Sequence, residues 1–150
     1  MGGTFTNLLV HVTFSTKNRL PLIGSEIEGD LHKYMGGIIR KQGCTLFEVN
    51  GMNDHVHLLL KLKPSLALSD LIRDVKANSS KWVNEEKWKV HKFGWQDGFA
   101  AFSVSRSQIE KVAEYIRNQK EHHQGLDFKS ELLGLLIKHE IEFDEEYLWN

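Results

Sequence analysis

Apolar positions along the chain change their spacing several times, and each change marks an element. From Phe5 to Phe14 apolar and β-branched residues crowd together, which predicts a strand. After Ser25, Ile27, Leu31, Tyr34 and Ile38 recur at i, i+4, i+7 and i+11, predicting a helix that stops near Gly43. Cys44 to Val49 reads as a second strand, Asn50-Gly51 as a turn, and His55 to Leu62 as a third strand. The short connection makes these two strands a hairpin, and Pro64 ends it. Ser65 to Glu86 is a second helix, with Leu68, Leu71, Ile72, Val75, Ser79, Trp82 and Val83 as its buried stripe. A loop rich in Trp, Lys and Gly leads to a fourth strand, Phe99 to Val104. Ser105 and Ser107 are candidate N-caps for a third helix running to about His123, and Glu110 stands at the capping-box spacing from Ser107. A further amphipathic segment covers Leu132 to Lys138.

The order βαββαβ predicts an α+β, ferredoxin-like fold: a four-stranded antiparallel sheet with two helices on one face, and an added C-terminal helix. The 150 residues favour a single domain over 1–150, with its core at about 5–123 and an extension over 124–150. Cys44 is the single cysteine, so an internal disulfide is excluded and no CxxC pair offers a zinc site. No apolar run approaches the ~20 residues needed to span a bilayer, and the chain reads as cytoplasmic. The net charge of −1 hides an uneven distribution. Lys61 to Lys92 carries eight Lys/Arg against four acids, whereas Leu126 to Asn150 carries seven acids against two lysines. A basic middle suits a DNA-facing surface, and it equally suits ordinary helix charge.

The sharpest chemical signal is Asp54-His55-Val56-His57-Leu58-Leu59-Leu60. Side chains at i and i+2 of a strand share a face, roughly 6.5–7 Å apart, so His55 and His57 can converge on one metal ion. Val56 and Leu58 would then pack against the helices. Alone, the pair is as well explained by two satisfied edge histidines. Tyr115 and Gln119 stand at i and i+4, on the flank of a helix whose core face is Ile109, Val112, Ala113 and Ile116. Tyr115 can present its hydroxyl to a strand-held metal, with Gln119 one turn along, or it can pack at the core edge.

Taken together, DHVHLLL on a strand, Ser79-Ser80-Lys81-Trp82, Gly94-Trp95-Gln96-Asp97-Gly98-Phe99 and a YxxxQ helix resemble the single-tyrosine HUH transposases. These are the insertion-sequence-200-like enzymes and their palindromic-repeat-associated relatives. The resemblance spans roughly Leu8 to His123. It implies a metal site at His55, His57 and Gln119, a nucleophile at Tyr115, and Mg²⁺ ahead of Mn²⁺ as the ion. The implied substrate is single-stranded DNA with hairpin-containing element ends, and the implied product a 5′-phosphotyrosine and a free 3′-OH. The residues agree with that chemistry. A tyrosine hydroxyl of pKa ≈ 10 needs help at neutral pH, and a metal can supply it by polarising the phosphate.

Lys76, Lys81, Lys87, Lys89 and Lys92 are candidate phosphate contacts, and Trp88 and Trp95 candidate stacking partners for unpaired bases. His122 and His123 follow Gln119 at i+3 and i+4, so one of them can approach the metal or the DNA, although an exposed helix end is the simpler reading. His11, His32, His91 and His139 have no spacing that singles them out, and the acidic tail carries no usable motif. One nucleophile per chain against two DNA ends predicts a homodimer, with the Ser103–Ser107 stretch able to dock the tyrosine helix on its own sheet or its partner's. Three rivals remain: a non-catalytic nucleic-acid-binding domain of the same fold, a phosphoesterase using water, and a replication or conjugation nickase.

Overall fold

A computed structural model describes residues 2–87 and 92–149. Strands β1 (Leu8–Ser15), β2 (Thr45–Gly51), β3 (His55–Leu62) and β4 (Ala100–Val104) form one sheet in the order β2-β3-β1-β4. Every neighbouring pair is antiparallel. Helices α1 (Ser25–Lys41) and α2 (Leu68–Trp82) fill the two crossovers, giving the ferredoxin-like α+β fold that the element order predicts. After β4 come α3 (Ile109–Arg117), α4 (Gln119–His122), α5 (Phe128–Lys138) and α6 (Glu145–Leu148).

Strand alternation gives the sheet two different faces. Val12 and Phe14 of β1 and Val56, Leu58 and Leu60 of β3 point to one side, where they join Leu31, Met35 and Ile39 of α1 and Leu71, Ile72 and Val75 of α2 in the main core. Leu9 and Leu59 point to the other side and pack against Ile109, Ala113 and Ile116 of α3. A third cluster sets Phe102 of β4 against Phe128, Leu132 and Leu136 of α5. Both central strands are therefore covered on both faces, and the polar residues of the second face are enclosed.

Several boundaries differ from the sequence expectation, each for a local reason. Phe5 is 93% exposed and precedes β1, because β3 ends opposite Leu8 and offers Phe5 no partner. On α1 the buried face runs through Leu31, Met35 and Ile39, while Tyr34 sits at the rim and stacks on Trp82 with ring centroids 4.9 Å apart. Helix α2 continues past Trp82 as a wider turn over Val83–Lys87. Ser107 forms no capping box: the chain makes a tight turn over Arg106–Gln108, with the Ser105 and Ser107 hydroxyls 3.1 Å apart, before α3 begins. The third helix also breaks at Asn118, so its expected run to His123 is two segments.

The β2–β3 turn is made by Met52-Asn53-Asp54 rather than Asn50-Gly51, with the Met52 amide donating to the His55 carbonyl at 3.0 Å. Asn50 and Gly51 are paired strand residues opposite His57 and Val56. Gly51 is needed for close approach: a Cβ there would lie 2.1 Å from the His55 carbonyl oxygen and 2.9 Å from Val56 Cα. Gly51→Ala must push the hairpin apart at the residue that begins the His-x-His strand. We expect it to lower stability by roughly 1–3 kcal/mol, the usual cost of forcing extra carbon into a packed region. Urea unfolding followed by circular dichroism measures this, and an unchanged midpoint would contradict the close approach.

Candidate active site

The second face of the sheet holds a polar cluster buried between β1, β3 and the helices that follow β4. His55 and His57 stand two apart on β3, as the alternation predicts, and both are fully buried. Helix α3 docks on this sheet within the same chain and places the Tyr115 ring 5.9 Å from the His57 ring, centroid to centroid. Although the helix breaks at Asn118, Gln119 still faces the cluster, with its Oε1 3.1 Å from His55 Nε2. The four residues singled out by the sequence are thus brought together.

A fifth residue, from α5, lies at their centre. Glu131 is 4% exposed, and its two oxygens take on different partners. His57 Nε2 donates to Oε1 at 2.9 Å, His123 Nε2 approaches it at 3.0 Å and His55 Nε2 lies at 3.3 Å. Oε2 accepts the Tyr115 hydroxyl and, at 3.0 Å, the Gln119 amide. His123 is therefore drawn into the cluster, with its ring 4.6 Å from that of His55, rather than left at an exposed helix end. Asp127 holds the start of α5 by accepting the Ser130 amide at 2.9 Å, an N-cap that fixes the helix four residues before Glu131.

The histidines are oriented from behind. His55 Nδ1 donates to Asp54 Oδ1 at 2.7 Å, and His57 Nδ1 lies 2.7 Å from Nε2 of the buried His11 on β1. Burial opposes charge on His55, but Asp54 and Glu131 outweigh it and push its pKa up to about 9. His57 is shifted down by burial, and His11 falls to about 3 through burial and the neighbouring His57. Burial also opposes charge on Glu131, yet the hydrogen bonds from His55 and His57 hold it well below the usual carboxylate range. Burial, then the Glu131 carboxylate, push the Tyr115 hydroxyl above its ordinary value. The result is an anionic carboxylate beside a cationic His55 and a neutral His57.

His55, His57 and Glu131 each offer one ligand atom, all within 4.8 Å of one another, and could hold a metal ion. Two imidazoles and a carboxylate form a donor set suited to divalent metals. On its outer side Tyr115 lines a cavity of about 260 Å³ together with His11, Gln108, Lys111, Lys138 and His139.

The expected DNA contacts fare differently. Trp95 is buried between Phe14 and Phe93, with its Nε1 donating to Ser79 Oγ at 2.9 Å, so it has no face to offer a base. Lys76 donates to the carbonyls of Gln96, at 2.8 Å, and Gly98, which commits its ammonium to holding that loop. Lys81 is in the last turn of α2, on the sheet face opposite the histidines, and Lys87, in the wider turn after it, pairs with Asp30 at 3.2 Å. Lys92 is exposed in the loop before Phe93. Lys89 and Trp88 lie outside the described residues. The cations beside Tyr115 are instead Lys111 and Lys138.

Sequence reasoning missed Glu131 and His11, and of its two readings of His123 it preferred the exposed helix end. Only His11 left a usable trace. It interrupts the apolar run of β1 on the same face as Leu9, the face shared by His55 and His57 of the neighbouring strand. Glu131 is one acid among seven in an acidic tail, and nothing in its spacing distinguishes it.

Comparison with known proteins gives the chain's family. Residues 4–119 match the family model described as Transposase IS200 like. The ISDra2 transposase TnpA of Deinococcus radiodurans is 25% identical over 122 residues, covering 78% of this chain and 87% of the relative. The transposase for insertion sequence element IS200 of Salmonella typhimurium is 26% identical over 131 residues, covering 81% and 82%. The solved structure of a REP-associated tyrosine transposase bound to a REP hairpin superposes with a TM-score of 0.63 at 14% identity, over 84% of this chain and 76% of that one, a likeness of fold. A family match over most of the chain, two transposase relatives and the shared fold lead to one conclusion: this chain belongs to the IS200-like transposase family.

Proposed function

We propose that this transposase cleaves and rejoins single-stranded DNA at hairpin-bearing element ends, with Tyr115 as the nucleophile. The observation that carries the reading is the convergence of the Tyr115 hydroxyl, His55, His57 and Gln119 on one buried carboxylate. A non-catalytic DNA-binding domain would have no use for a nucleophile enclosed with metal ligands. A phosphoesterase that activates water would not need Tyr115.

Glu131 Oε2 accepts the Tyr115 hydroxyl hydrogen and so orients the phenolic oxygen; the hydroxyl proton passes to water as that oxygen attacks phosphorus. The P–O3′ bond breaks, the DNA 5′ phosphate stays on Tyr115, and the leaving oxygen becomes a 3′-OH after gaining a proton from water. Rejoining reverses these steps and conserves the energy of the phosphodiester in the phosphotyrosine, so no nucleotide cofactor is required. A divalent ion, Mg²⁺ or Mn²⁺, held by His55, His57 and Glu131 with Gln119 beside them, would polarise the scissile phosphate and neutralise developing charge. A strand entering the cavity beside Tyr115 meets Lys111 and Lys138, which suit its phosphates.

We further infer that two chains work together, because one tyrosine can hold only one DNA end at a time. Tyr115 and His57 of one chain already meet, which supports a site built within each chain rather than across the pair.

Three outcomes follow. Tyr115→Phe should bind single-stranded DNA from the flanks of its own gene as the wild type does, yet lose the protein–DNA species that survives denaturing electrophoresis. Persistence of that adduct, or its mapping by mass spectrometry to Tyr34 or Tyr147, would remove Tyr115 from the role. In the metal site, Glu131→Gln should weaken Mn²⁺ binding at least as much as Gln119→Ala, by more than the ~10–100-fold typical of outer-shell partners. Electron paramagnetic resonance titration reads this directly, and a curve moved only by Gln119→Ala would return the third ligand to Gln119. Mixing His55→Ala with Tyr115→Phe protein under subunit exchange should restore no cleavage. Restored cleavage would show an exchanged helix, and a wild-type protein that sediments as a monomer with and without DNA would remove the dimer.

A further inference from the structure

The two metal-facing histidines have different partners behind them, and the difference has a chemical consequence. A carboxylate only accepts hydrogen bonds, so Asp54 always requires a proton on His55 Nδ1. A neutral imidazole donates from one nitrogen and accepts at the other, so the bond between His11 Nε2 and His57 Nδ1 can run in either direction.

The surroundings fix its direction in the absence of metal. Glu131 Oε1 is an acceptor 2.9 Å from His57 Nε2, so Nε2 carries the His57 proton and Nδ1 must accept. His11 therefore donates from Nε2, leaving its Nδ1 bare. A metal ion at His57 needs the lone pair of Nε2, which moves the His57 proton to Nδ1. Nδ1 then donates, and His11 Nε2 must accept. An acceptor-only or donor-only partner could satisfy one of these states and would oppose the other.

We propose that His11 is a positioning residue for His57 which reverses their shared hydrogen bond when a metal ion loads. The inference rests on the metal reading above. The proton count closes within the pair. The His11 Nε2 proton passes to His57 Nδ1, His57 Nε2 releases one proton to water, and His11 Nδ1 takes one up from water. No net charge is created in a site where His11 and His57 are almost wholly enclosed. His11 also lines the cavity beside Gln108, Lys111 and Tyr115, which gives water a route to its ring. The arrangement keeps the bond between His11 and His57 made when the site is empty and again when it is filled, so His57 Nδ1 has a partner in both states.

Long-range ¹H–¹⁵N correlation spectra of the wild-type protein test this directly, because they distinguish the two imidazole tautomers. Without metal, His57 and His11 should both be protonated on Nε2. Saturated with Mg²⁺, or with Zn²⁺ as a tighter diamagnetic ion, both should be protonated on Nδ1. If His57 changes while His11 does not, the inference is overturned and the metal reading stands. If neither ion perturbs His57, both fall together. Substitution gives a second measurement. His11→Gln keeps a group that can donate or accept, and Mn²⁺ affinity should stay within roughly a few-fold of wild type. His11→Leu keeps the volume but loses both functions, and affinity should fall by about 10–100-fold, as for other outer-shell partners. Equal losses in the two variants, or none in either, would contradict the proposal. A purely structural role would lower the unfolding midpoint without producing this order in metal affinity.

Discussion

A carboxylate shut away from water stays ionised only when donors surround its oxygens, since an unpaired buried charge costs several kcal/mol. Glu131 meets that condition with hydrogen bonds drawn from β3, α3, α4 and the residue that follows α4. The donors on β3 and α3 belong to elements placed by their own apolar contacts, so the carboxylate does not build the fold. It decides how the helices after β4 sit relative to the sheet. Phe128, Leu132 and Leu136 carry α5 onto Phe102, and Glu131 is the residue of that helix which reaches inward among the histidines. If the helix moved away, three imidazoles, an amide and a phenol would all need new partners.

The enclosure depends in turn on the two-faced sheet. On β3 the period of two sends Val56, Leu58 and Leu60 into the main core and His55, His57 and Leu59 to the opposite side. Sliding the strand by one residue would put imidazoles among Leu31, Met35 and Ile72, where no polar partner exists to receive them. Register is thus fixed by the same residues that make the site. Gly51 contributes by allowing β2 to run close against His55, the first residue of β3.

Much of this was legible in the sequence because it is written in local periodicity. The βαββαβ order, the His55–His57 pair on one strand face and the Tyr115–Gln119 pair on one helix follow from spacings of two and about 3.6 residues. What failed was whatever depends on distant partners. Phe5 has strand character, but strands exist only where a neighbour pairs with them. Trp95 has a base-stacking ring, but Phe14 and Phe93 already cover it. Asn50-Gly51 has turn chemistry, but the glycine serves close packing. Glu131 was invisible for the same reason: a carboxylate that meets residues 74 and 76 positions earlier in the chain leaves no periodic mark.

Charge was the least informative feature, and the reason is physical. Net charge over a window counts side chains without knowing which way they face. Lys81 sits on α2, across the sheet from the histidines, while Lys76 is spent on loop carbonyls and Lys87 on Asp30. The acidic tail, which as a whole would repel a DNA strand, supplies the one carboxylate that sits at the centre of the buried cluster and one lysine, Lys138, at the cavity edge beside Tyr115. The family match ends at Gln119, and Glu131 lies twelve residues beyond it. The tail therefore belongs to the site's architecture even though the family pattern can be recognised without it. A segment outside a family's shared core that reaches into the core's functional cluster is where two members with the same motif can come to differ in chemistry.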